Sequence, residues 1–95
     1  MAVTITSINS IIAVATTSVT TAATAIPAAA LTFRRSILVT NNGSVAVYLG
    51  TSSVTTANGT PLAPAASLSL ELSAGVVLYG IVASGTADVR TLEGA

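Results

Sequence analysis

From Ser67 to Ser73 leucine takes every second place: Leu68, Leu70 and Leu72 point one way, and Ser67, Ser69, Glu71 and Ser73 point the other. Side chains alternate in this way on a half-buried antiparallel strand. Thr, Val and Ile dominate much of the remaining chain, and their branched Cβ atoms suit a pleated sheet better than a helix. Val3–Ile8 alternates Val3 and Ile5 with Thr4 and Thr6, which predicts a first strand. Ile11–Thr21 is a second β-prone stretch. Thr21–Ala30 is low in complexity and reads as a loop or extended arm. The alanines from 22 to 30 also admit a short helix, which Pro27 would break or cap.

Further along, Leu31, Phe33, Arg35, Ile37 and Val39 fall on one face by period two, with Thr32, Arg34, Ser36 and Leu38 on the other. Asn41-Asn42-Gly43-Ser44 reads as a hairpin turn, because Asn and Gly tolerate positive φ. Val45–Leu49 is then the return strand, with Tyr48 on the face opposite Val47 and Leu49. Gly50–Pro64 reads as a long loop, a place where contacts are often made. Val76–Ala83, almost wholly apolar, reads as a strand buried on both faces, and Thr86–Leu92 as the last strand. About six or seven short strands at intervals of about 8–12 residues predict an all-β fold. The expected form is a small antiparallel β-sandwich or jelly-roll-like barrel, with an extended Thr/Ala-rich N-terminal segment. Its division is an arm over 1–30, expected to make assembly contacts, and a core over 31–95.

Charge is the second constraint. Charged residues are 6% of the chain and apolar ones 52%, against about 25% charged in an ordinary soluble domain. Three arginines balance three acids, and lysine is absent. Nucleic-acid binding needs several cations, so it is not expected, and the same argument weighs against an electrostatic membrane partner. No long unbroken apolar run predicts a spanning helix. No basic residue precedes Arg34, so a secretory signal is not expected. A surface this poor in charge makes sense when much of it is buried against other subunits.

Cysteine and histidine are both absent. Disulfides, Cys/His zinc sites and the commonest proton-transfer group are therefore excluded. No G-x-S-x-G elbow or phosphate-binding loop occurs. Asp88 and Glu93 are five residues apart, so a regular strand puts them on opposite faces and they read as surface charges. Arg90 is expected to pair locally. No enzyme activity, cofactor or metal is expected. The candidate partner-binding residues are Arg34, Arg35, Tyr48, Asn58 and Tyr79. Arg35 falls on the apolar side of its run, as an edge-strand charge or a salt bridge to a neighbouring subunit. Tyr48 and Tyr79 read as core or interface anchors, and Asn58 lies in the long loop.

Three runs, Asn41-Asn42-Gly43-Ser44-Val45-Ala46-Val47-Tyr48-Leu49-Gly50, Val54-Thr55-Thr56-Ala57-Asn58-Gly59-Thr60-Pro61-Leu62 and Leu78 through Arg90, resemble small β-rich structural proteins of tailed bacteriophages. The resemblance covers roughly Ser36–Glu93 and includes no catalytic residue. It implies a virion component assembled in the host cytoplasm: a capsid decoration (cement) protein, a head-fibre base or a tail-associated protein. Decoration proteins of this type are commonly trimers that clamp neighbouring capsid subunits. The implied partners are the chain itself, as a homo-oligomer and most simply a trimer, and a major capsid protein or other virion protein. The alternatives are a fibre component that binds a host receptor or glycan, and a tail or connector ring subunit.

Overall fold

A computed structural model describes residues 11–95; the strand expected over Val3–Ile8 lies outside them. Eight strands form: β1 Ile12–Val19, β2 Thr24–Ile26, β3 Ser36–Asn41, β4 Val47–Gly50, β5 Thr60–Leu62, β6 Ser67–Leu70, β7 Leu78–Ile81 and β8 Ala87–Gly94. They make two antiparallel four-stranded sheets in the orders β1-β8-β3-β6 and β2-β7-β4-β5. Strand one pairs with eight, two with seven, three with six and four with five. That nesting is the jelly-roll arrangement of a two-sheet sandwich.

Alternation decides what each sheet buries. In β8, Ala87, Val89, Thr91 and Glu93 face inward, while Asp88, Arg90 and Leu92 face out. Ile37 and Val39 of β3, Val47 and Leu49 of β4, Leu62 of β5 and Val82 meet Val19 and Ile26 in one core, and Leu68, Leu70, Leu72 and Leu78 pack round it. Each such side chain, fully buried, contributes about 1.5–3 kcal/mol.

Several expectations change on inspection of the pairing. The Asn41–Ser44 segment is not a hairpin, because β3 and β4 belong to different sheets. Asn41 is completely buried at this corner. Its Nδ2 donates to the carbonyls of Val45 (2.8 Å) and Leu62 (2.9 Å), and its Oδ1 accepts from the Gly43 amide (2.9 Å). The side chain thus replaces the ladder bonds lost where the chain changes sheet. The stretch 21–30 contains no helix; it contains β2, paired with β7. Residues 12–19 and 24–26 therefore supply one strand to each sheet. The long 50–64 loop includes β5, whose Pro61 is tolerated because β5 is an edge strand. Val76 and Val77 are about half exposed, at 50% and 48%, since they lie in the turn ahead of β7, which begins only at Leu78.

Candidate functional site

The five candidate residues separate into two regions. Tyr48 and Tyr79 stand half-buried on the outer face of the β2-β7-β4-β5 sheet. Tyr48 lies opposite Ile81 and Pro61, and Tyr79 opposite Ala25 and Gly50. The 51–59 turns pack against this face: a Cβ on Gly59 would lie 2.6 Å from the Tyr48 Cβ and 2.9 Å from Val54 Cγ2. Asn58 is exposed there, and its Oδ1 accepts from the Thr55 amide (2.8 Å) while its own amide donates to Thr55 Oγ1 (3.2 Å). Asn58 therefore shapes the turn beside Tyr48. Among the described residues this face carries no charged side chain on its strands.

Arg34 and Arg35 lie at one end of the other sheet, and their environments are the reverse of the period-two expectation. Arg34 is buried and Arg35 is exposed. The physical reason is that β3 starts only at Ser36. Upstream, the Arg34 amide donates to the Leu31 carbonyl (3.0 Å) and Phe33 takes φ +60°, so the chain turns and the alternation resets. Arg34 Nη1 meets Glu93 Oε2 at 2.9 Å, with both side chains almost wholly buried. Its Nε donates to Leu72 O (2.9 Å), and its Nη2 to Ser73 O (2.9 Å) and Val76 O (2.6 Å). Glu93 Oε2 also accepts from the Leu31 amide (3.1 Å). One guanidinium thus ties the 31–35 turn, the 72–76 turn and the end of β8 together, its charge matched and its donors directed at acceptors.

Glu93 is accordingly no surface charge, which corrects that expectation. Its burial follows from the parity of Ala87, Val89 and Thr91 once the expected strand Thr86–Leu92 is carried one residue further. Asp88 and Arg90 do pair on the surface at 2.9 Å. Hydrogen bonds from Arg90, then from Asn42, hold the Asp88 carboxyl below its usual pKa. Asp88 and Glu93 lie on opposite faces of β8. Among the described residues no group of three acidic, histidine or cysteine side chains gathers where a metal could sit.

The exposed apolar side chains were missed by the pattern reading. Ile11, Ile12 and Val14 stand out at β1, Val14 at 79% exposure, and Phe33 is 85% exposed, on a cleft it shares with Val77. Phe33 has the parity of a core residue, but it stands with positive φ in the turn ahead of β3, outside the strand. Comparison with protein-family models, characterised proteins and solved structures finds no match.

Proposed function

We propose that this chain is a non-catalytic virion subunit of a tailed phage, a capsid decoration protein that binds between capsid subunits and acts as a homo-oligomer. The observation that carries the reading is the edge that β1 presents among the described residues. Edge strands invite pairing with other chains, and proteins blunt them with proline, charge or shortness. The three-residue edge β5 contains Pro61, and the three-residue edge β2 is followed at once by Pro27. The β6 edge has only four residues. β1 is eight residues long, Ile-Ala-Val-Ala-Thr-Thr-Ser-Val, with neither proline nor charge. Ile12 and Val14 stand exposed along it. Such an edge suits strand addition by a capsid subunit, in which backbone bonds give affinity and apolar side chains give register. The resemblance to phage structural proteins and the jelly-roll sandwich, an architecture found among viral capsid domains, point the same way.

The test is sedimentation of the purified chain with empty capsids of the phage that encodes it. Binding at a fixed copy number, weakened by Val14→Lys in a variant that still folds, is the expected outcome. A chain that stays in the supernatant overturns the reading, and a melting shift with glycans in its place would favour a receptor-binding fibre role.

A further inference from the structure

Phe33 combines three properties that rarely coincide. It is the sole phenylalanine of the chain, it is 85% exposed, and it holds φ +60°. Left-handed backbone is a genuine outlier for a bulky side chain. Conformations of this kind persist where the surroundings over-determine them, commonly at sites of function. Here the surroundings are the buried Arg34 cluster, which fixes the residue next to Phe33 with four hydrogen bonds to Glu93, Leu72, Ser73 and Val76. The ring is therefore displayed by a rigid base. Beside it runs a cleft lined by Ala30, Thr32, Ser73, Ala74 and Val77, with Val76 half exposed nearby.

The charges around this end identify what covers it. Of six charged residues, Arg34 pairs with Glu93 and Arg90 with Asp88. Arg35 and Glu71 remain, both exposed and without an ion pair among the described residues. Neither lines the cleft, but both adjoin it along the chain: Arg35 follows the cleft residue Arg34, Glu71 lies two residues before Ser73, and the Leu72 amide donates to the Arg35 carbonyl at 3.2 Å. One apolar patch carrying one positive and one negative charge at its margin is complementary to itself. We infer that this end is the contact between copies of the chain, with Phe33 of one copy seated in the Ala30–Val77 cleft of the next and Arg35 facing the neighbouring copy's Glu71. Aromatic side chains in desolvated pockets dominate such interfaces, and charges at the margin set partner choice. The inference deepens the proposed assembly role by naming the self-contact, and leaves β1 for the capsid.

The experiment is the molar mass of the full chain by light scattering across a dilution series, with circular dichroism to establish folding. Phe33→Asn suits the left-handed backbone, so it keeps the fold while raising the dissociation constant of the oligomer about tenfold or more. Arg35→Glu and Glu71→Arg each weaken assembly, and the double exchange R35E/E71R restores it. A wild-type monomer, or an oligomer indifferent to all three single substitutions, overturns the inference. Capsid sedimentation separates the two readings: a monomer that still binds capsids defeats the self-contact and the homo-oligomer but leaves the capsid-binding role, and an oligomer built as described that ignores capsids defeats only the decoration role.

Discussion

Arg34 and Glu93 show how one buried pair governs a whole end of the sandwich. Removing one partner of such a pair leaves an uncompensated charge in the interior and costs about 3–5 kcal/mol. Glu93→Gln keeps the volume and is expected to lose that much in urea unfolding. The double variant Arg34→Met with Glu93→Leu should lie closer to the wild type than either single substitution, because the isolated charge is gone. Equal and additive losses would mean that the two side chains act independently. The exposed pair behaves differently. Asp88 is held below its ordinary pKa by Arg90 and Asn42, so its folded value lies under its unfolded one. Its contribution is complete above the unfolded carboxylate pKa of about 3.9 and is lost as pH falls through the folded value. The window is therefore below about pH 4, and solvent screening keeps the effect small. As acid is added, the wild type's urea midpoint should fall towards that of Asp88→Asn, closing the difference seen at neutral pH. A difference that grows on acidification would contradict the sign.

At the level of the strand, packing on the inner face of the β2-β7-β4-β5 sheet depends on Gly80. Its place in β7 faces inward, and a Cβ there would lie 2.6 Å from Ile26 Cδ1 and 3.0 Å from Val47 Cγ1. Ile26 and Val47 are both fully buried, so neither has room to retreat. Gly80→Ala is expected to cost about 1–3 kcal/mol through overpacking, whereas Gly75→Ala, with nothing within 4 Å of its Cβ, should stay within about 0.5 kcal/mol. Thermal melts of the two variants compare them directly; equal melting temperatures would show that the side chains round Gly80 give way more easily than their burial implies. Strand identity was legible from such local chemistry. Period two located β3, β4, β6 and β8 because each has one face on the core. It failed at 31–35, where a turn resets parity and exchanges Arg34 for Arg35. It also failed at β2 and β5, whose three residues are too few to show a period.

The whole molecule is where local pattern carries least information, because pairing joins distant segments. Asn41–Ser44 has good hairpin chemistry, and Asn41 uses it to turn the chain from one sheet to the other. Among the described residues only β4 and β5 are consecutive strands that pair; β1 waits for β8 and β2 for β7. The same nesting decides whether residues 1–30 are an appendage or part of the fold. They include β1 in one sheet and β2 in the other, and they bring Val19 (0% exposed) and Ile26 (1%) to the core. Burying those two side chains contributes about 3–6 kcal/mol, comparable with the roughly 5–15 kcal/mol that holds a domain folded. A fragment of residues 31–95 is therefore expected to lack a cooperative unfolding transition alone. Added residues 1–30 should restore one, since the exposed link at Ala28–Ala30 is not needed once both strands are paired. Circular dichroism melts of the fragment, with and without its complement, read this out. A fragment that melts cooperatively at the intact chain's temperature would show that β1 and β2 merely lie on a core that stands without them, and the open β1 edge would then belong to a detachable arm.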